Sequence, residues 1–369
     1  VVKAHPDHPA LSERVAEVLR RAAARHDLPE GVVGLVHGFE AGVELIKHPL
    51  VAAAGFTGSI RGGRALYDAA AARPVPIPFH GELGSLNPVV VTEAAATERA
   101  EAIGAGLAGS MTLGVGQFCV KPGLVLVPAG DAGDGLVKSL ADAVGATDAG
   151  VLLDHRMRDN FVAGVAERAA LPDVDCPVTP GADGEHTVSA GFLTVPAARL
   201  AAEGEHDLLL EECFGPVTVV ARYRDEAEVR GVLSRLPGNL TATVQLSAEE
   251  AAGEGAGAAL LAEVTPLAGR VLVNGWPTGV AVAAAQHHGG RTPPRPRPPP
   301  RWAGRRSSAG CGRSPTRGCR RRCCRSNCGT RTRWGCPVGS TGCWSGSAPR
   351  GRPRTAVRPR APRVCPPPA

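Results

Sequence analysis

The stretch GVGQFCVKPGL, residues 114–124, sets a lone cysteine, Cys119, between a glycine-rich approach and a Pro-Gly turn. A free cysteine is ordinarily a small buried hydrophobe. Gly114, Gly116 and Gly123, however, permit the close backbone approach and unusual dihedrals that accompany a ligand. The competing interpretation is therefore a nucleophilic thiol at a cleft, which needs surroundings that generate the thiolate. Glu82, in HGELGSLNP (80–88), is the second chemical candidate. It lies among apolar and glycine residues, where a carboxylate is excluded unless it is paired or its pKa is raised. A carboxylate raised in this way is suited to take a proton from water.

Three further stretches could bind rather than react. GFTGS (55–59) joins a strand to a helix start, so Ser59 and the backbone amides form either an anion site or a plain N-cap. The GxGxxG dinucleotide fingerprint is absent there. Lys3 could reach a ribose or phosphate, or simply stand at the surface. In EECFGPV (211–217), one of Glu211 and Glu212 could cap a helix or bind a hydroxyl, and Phe214 could cover a flat ring or fill the core. Cys213, between bulky neighbours, reads as structural. His287 and His288 show no metal-ligand spacing with the cysteines Cys119, Cys176 and Cys213, and no metal site is expected.

The elements that must position these residues alternate strand and helix. Helical periodicity covers 7–26, and GVVGLVHG (31–38) reads as a buried strand. A short helix over 40–49, a strand over 50–59 and a helix over 60–72 follow. Extended pieces lie within 75–91, with a helix over 97–112, a strand at 125–130 and helices at 134–146 and 153–170. Strands at 217–223, 240–246 and 270–275 continue the pattern, which predicts an α/β domain with a mostly parallel sheet. The region 172–205 reads as loop-rich connections with an apolar piece at 190–196. The apolar start VVKAHP reads as the end of a buried strand, so the chain is expected to begin inside a domain.

Composition divides the chain sharply near Gly290. Residues 291–369 contain 20 arginines, 15 prolines and 8 of the 11 cysteines, with no Lys, Asp, Glu, Leu, Ile, Phe or Met. The body carries a formal −14 and the tail +20, so the net +6 describes neither part. With no apolar set to offset ordering entropy, 291–369 is expected to be a disordered, low-complexity basic tail. The abrupt loss of whole residue types fits out-of-frame reading of GC-rich DNA. A genuine basic arm for nucleic acid and a metal module are the alternatives. Sparse body cysteines fit a reducing, cytoplasmic setting, and no apolar run is long enough to span a membrane.

VVKAHP, GFTGS, HGELGSLNP, GVGQFC, EECFGPV and NGWPTGV, in this order, resemble the aldehyde dehydrogenase superfamily over residues 1 to about 290. The wording is most similar to the NADP-dependent dehydrogenases of 2,5-dioxopentanoate (α-ketoglutarate semialdehyde). The resemblance implies part of a Rossmann-like cofactor domain over 1–84 and an α/β catalytic domain over 85–285. It implies oxidation of a small aldehyde, 2,5-dioxopentanoate to 2-oxoglutarate, through a thioester on Cys119, with Glu82 as the base that activates water. Lys3 matches the lysine on the adenosine ribose and its phosphate, and Gly58 with Ser59 matches the pyrophosphate contact. Glu212 matches the carboxylate on the nicotinamide ribose, and Phe214 the aromatic beside the ring. Pro6 stands where NAD-using relatives often carry a glutamate, so NADP is favoured, with NAD as the alternative, and His5 or Lys3 would help to bind the 2′-phosphate.

Some features depart from the family. Its oxyanion asparagine and the first part of its cofactor domain lie upstream of this sequence. VKPG replaces the usual Thr-Asn-Pro-Gly after the cysteine, and Lys121 is a charge that would depress the thiol pKa or disturb the pocket. The family forms homo-oligomers, but the expected pairing segments are missing. The competing functions are an inactive truncated remnant, a CoA-acylating relative, a glutamyl-phosphate-reductase-like enzyme and, resting only on the tail, a nucleic-acid binder.

Overall fold

The computed structural model describes residues 1–253, 257–281, 283, 288 and 289. The expected tail at 291–369 and His287 lie outside the described residues.

Up to Glu82 the chain builds two small parallel strand pairs and three helices. β1 (Val2–Lys3) pairs with β2 (Leu35–Val36), and β3 (Ala54–Thr57) pairs with β4 (Phe79–Glu82). Between them run α1 (Pro9–Arg25), α2 (Phe39–Lys47) and α3 (Ile60–Ala71). Pro9 suits the first turn of α1, where its missing N–H is no loss. Ser59 caps α3 by accepting from the Gly62 amide at 3.2 Å. In the β3–β4 register Thr57 lies opposite Glu82, and the Gly58 amide donates to the Glu82 carbonyl at 3.1 Å. The strand expected over 31–38 shrinks to the half-buried β2, because glycines at both ends of the run interrupt pairing. Val1 and Val2 are exposed rather than buried, since β1 has β2 as its one strand partner among the described residues.

A seven-stranded sheet dominates the rest of the body. Its members are β5 (Val89–Val91), β6 (Leu124–Pro128), β8 (Asp175–Val178), β11 (Gly191–Pro196), β12 (Val217–Tyr223), β13 (Asn239–Gln245) and β14 (Ala268–Val273). They lie in the order β14-β13-β5-β6-β12-β11-β8, every pair parallel except β11–β8 at the edge. A separate antiparallel sheet joins β7 (Gly150–Val151), β9 (Gly181–Ala182) and β10 (Thr187–Ser189). Thus 172–205 contains several short strands, and its apolar piece is the well-buried β11.

The connecting helices are α4 (Glu93–Thr112), α5 (Asp131–Gly145), α6 (His155–Ala169), α7 (Ala197–Leu200), α8 (Glu226–Arg235), α9 (Ala248–Ala251) and α10 (Gly257–Val264). Thr92, Asp154 and Asp225 cap α4, α6 and α8 through their side-chain oxygens. The central strands are near-continuous apolar runs because both faces are covered. Alternation then sends Leu124, Leu126 and Val219 into one core and Val125, Val127 and Val220 into the other. This rigid sheet delivers the loops before β6 and β12 to a common place.

Candidate active site

Glu82 closes β4, and Cys119 stands in the turn between a 3-10 segment (Leu113–Gly116) and β6. The fold brings these residues, 37 positions apart, together with His288. One atom from each, the Glu82 carboxylate oxygen, the Cys119 sulfur and a His288 ring nitrogen, lies within 4.8 Å of the other two. His288 Nε2 is 3.2 Å from Glu82 Oε1 and 3.7 Å from Cys119 Sγ.

The approach to Cys119 is a backbone device. Gly114, Val115 and Gly116 all take left-handed conformations, with φ of 57°, 58° and 67°. For β-branched Val115 this is a strained choice, held by its packing in the cluster of Leu152, Phe161 and Val165. Gly116 is required on a second count, because an added Cβ would lie 2.3 Å from the Gly215 backbone. The cysteine loop and the EECFGPV loop therefore touch main chain to main chain, with Phe214 directly preceding the contact. Gln117 ties the same loop down, accepting from the Leu153 amide at 2.8 Å and donating to Gly114 O at 3.1 Å.

Asn87 is the fixed point beneath the thiol. Its Nδ2 donates to the carbonyls of Cys119 and Lys121 at 2.9 and 3.0 Å. Its Oδ1 accepts from Ser85 Oγ and from the Thr241 amide on β13. Asn239 completes the network by accepting from the Leu86 and Asn87 amides. All four polar residues Ser85, Asn87, Asn239 and Thr241 are buried, so their mutual satisfaction is obligatory. Asn87 itself has φ 50°, which asparagine tolerates.

Burial, followed by the charge and hydrogen bond of Glu82, pushes the Cys119 thiol up to about 11. Lys121 does not depress it. Its side chain is buried, and Nζ donates to Cys213 O and Val217 O at 3.1 and 2.6 Å, fixing the start of β12. Burial lowers the Lys121 pKa, and its charge acts on Glu212 instead. Burial raises the Glu212 carboxyl, while Lys121 and a hydrogen bond from the Ser85 amide oppose that rise. Gly84 makes room for this carboxylate: an added Cβ would stand 2.6 Å from Glu212 Oε2.

Glu82, Cys119 and Glu212 are thus gathered at one place, with Gly58 bonded to the Glu82 backbone and Ser59 at the start of α3. Lys3 is not among them. It lies on β1 against α2, its ammonium 5.4 Å from the Phe39 ring centroid. His5 contacts Asp7 at 3.2 Å. Cys213 packs beside Phe161 and Val165, as a structural residue does. The residues that sequence reasoning missed are Asn87, Gln117 and His288, and Lys121 was assigned a different effect. Asn87 reads as an ordinary turn residue in GSLNP, and His288 lies 169 positions from Cys119 beside the change in composition.

Among the described residues no helix is long and apolar enough to cross a membrane. An alpha-ketoglutaric semialdehyde dehydrogenase of Azospirillum brasilense is 41% identical over 296 residues, 79% of this chain and 55% of that protein. Its counterpart from Acinetobacter baylyi is 36% identical over 295 residues, again 79% and 55%. The chain therefore spans about half the length of the curated relatives it matches. Among solved structures, the 1-pyrroline-5-carboxylate dehydrogenase of Thermus thermophilus superposes with a TM-score of 0.65 at 22% identity, over 79% of this chain and 55% of that one. This agrees with the two-part α/β fold. The model of the aldehyde dehydrogenase family matches residues 1–292, and the chain belongs to that family.

Proposed function

We propose that the chain carries the reacting half of an NADP-dependent dehydrogenase of a small aldehyde, with 2,5-dioxopentanoate as substrate and 2-oxoglutarate as product. Residues 1–84 serve as the C-terminal part of the dinucleotide-binding domain and 85–285 as the catalytic domain. The carrying observation is the convergence of the Cys119 thiol and the Glu82 carboxylate from two separate elements. The substrate rests on the 41% identity to a protein named for that aldehyde.

The donor set suits a dinucleotide. α3 opens at Ser59, where the Ile60 and Arg61 amides are left to donate to a pyrophosphate while the Gly62 amide donates to Ser59 Oγ. Glu212 offers a carboxylate for ribose hydroxyls, and Phe214 an aromatic face beside it. Lys3 supplies the cation for the adenosine ribose and a 2′-phosphate. NADP, or NAD in its place, supplies the hydride acceptor.

Chemistry starts from a protonated thiol, because Cys119 ionises only near pH 11 in this environment. Glu82, its carboxylate within 4.8 Å of the sulfur, is placed to take the thiol proton as the sulfur attacks the aldehyde carbon. The resulting oxyanion accepts from the Cys119 amide. Loss of hydride from the thiohemiacetal leaves a thioester on Cys119. Glu82 releases the thiol's proton to solvent and, again a carboxylate, takes a proton from water; the hydroxide displaces the Cys119 thiolate, which recovers that proton from Glu82, so the carboxylic acid and the thiol are released. A carboxylate this near the sulfur favours hydrolysis over acyl transfer to CoA. Three unpaired cysteines among the described residues fit a reducing, cytoplasmic setting.

The test is reduction of NADP+ by the full chain with 2,5-dioxopentanoate. Cys119→Ser should abolish it. Glu82→Gln should give at most one equivalent of reduced cofactor and then stall as the thioester. Steady turnover by the Cys119→Ser variant would overturn the assignment.

A further inference from the structure

The same His288 nitrogen, Nε2, faces both Cys119 Sγ and Glu82 Oε1. A proton relay from thiol through imidazole to carboxylate would use the two ring nitrogens in turn. A single N–H can serve only one of two acceptors well, and a bare nitrogen can donate to neither. Three donor atoms gathered within 4.8 Å of one another are instead what a metal ion requires. Cysteine, histidine and glutamate together are a zinc-class set.

We infer that Glu82, Cys119 and His288 form a site for a divalent zinc-class cation that reversibly masks the thiol. The distances suit it. Zinc bond lengths and tetrahedral angles call for ligand separations of about 3.4 Å for N···O and about 3.6 Å for N···S. The chain shows 3.2 and 3.7 Å. The third pair, sulfur and carboxylate, lies within 4.8 Å, so it needs at most about 1.2 Å of closure to reach the tetrahedral value of about 3.6 Å. His288 and Glu82 side chains remain 30% and 28% accessible, so an ion can enter.

On binding, Cys119 ligates as thiolate and its proton leaves to solvent. His288 ligates through the Nε2 lone pair with the hydrogen on Nδ1, and Glu82 through a carboxylate oxygen. No electron is transferred. Water takes the fourth position. Burial and the Glu82 charge, which together disfavour the bare thiolate, cease to do so once a dication neutralises it. Occupation removes both nucleophile and base, and this inhibitory consequence rests on the dehydrogenase proposal, whereas the site itself does not.

The experiment is iodoacetamide labelling of the full chain, with and without zinc held at a buffered micromolar free concentration. Peptide mass spectrometry follows Cys119, Cys176 and Cys213 in the same digest. Metal buffering keeps the tail cysteines from depleting the ion. Zinc should slow Cys119 at least tenfold and leave Cys176 and Cys213 unchanged, and EDTA should restore the rate. His288→Ala should lose most of that ratio and Glu82→Gln several-fold of it, with circular dichroism confirming that at least one variant is folded. Equal slowing of all three cysteines, or full protection in a folded His288→Ala or Glu82→Gln variant, would overturn the site. Protection without any aldehyde turnover would sink the dehydrogenase proposal and leave the site standing. Turnover without protection would do the reverse.

Discussion

Asn87 holds the main chain of Cys119 from below, its Nδ2 donating at 2.9 Å to the Cys119 carbonyl and at 3.0 Å to that of Lys121. The same side chain reaches β13 through the Thr241 amide, so the thiol loop is referenced to the seven-stranded sheet one strand in from its edge. Each buried partner left without its bond costs about 1–3 kcal/mol. Asn87→Ala should therefore lower unfolding stability by about 3 kcal/mol or more, read from urea midpoints. Freed of its tether, Cys119 should also label faster. A variant as stable as the parent would show that the network is dispensable.

Gly116 answers the question of why the loop before Cys119 is glycine-rich. Its φ of 67° and its approach to Gly215 are separate demands, and alanine meets neither. Overpacking of this kind costs about 1–3 kcal/mol. Because the obstacle is backbone, relief must move either the Cys119 turn or the Phe214 loop. Gly116→Ala should cut kcat for the aldehyde more than tenfold, whereas Gly109→Ala, at a position with open space in α4, should leave it unchanged.

The parts of this architecture that were legible in the sequence share a physical cause. Strands such as β6 and β12 are buried on both faces and so must be written as apolar runs. Cys119 and Glu82 stood out because a lone thiol and a carboxylate set among glycine and apolar residues are unlike ordinary surface positions. Elements such as β9 and β10 were hidden because two- and three-residue strands leave no periodicity to read. Asn87 was hidden for another reason: asparagine beside proline is ordinary turn chemistry, and only the fold shows that its amide is spent on the Cys119 loop. His288 required a contact across 169 positions that no local pattern encodes.

Lys121, expected to act on the thiol, acts instead on Glu212. Its buried ammonium lowers the Glu212 carboxyl pKa against the upward pull of burial. Removing the cation should let that pKa rise further. If the Glu212 carboxylate holds ribose hydroxyls, cofactor binding weakens as pH falls through its pKa. Lys121→Met should move that loss to higher pH in fluorescence titrations with NADPH. An unchanged profile would detach Lys121, or Glu212, from cofactor binding.

The thiol itself gives the sharpest test of the site's electrostatics. In metal-free protein, alkylation of Cys119 should rise with pH to a midpoint near 11, against an ordinary value of 9.0. Burial is the largest cause, and the Glu82 charge and hydrogen bond add to it. Glu82→Gln removes the charge, so the midpoint should fall yet stay above 9.0. Well below both midpoints, each unit of that fall raises the thiolate fraction about tenfold, so the variant should label faster at pH 8. The sign carries over to stability. A thiol that ionises later when folded contributes fully below pH 9 and loses that contribution as pH climbs towards 11. A midpoint that rose in Glu82→Gln would mean that the native glutamate is neutral and donates to a thiolate, which would reverse the proton path from Cys119 to Glu82.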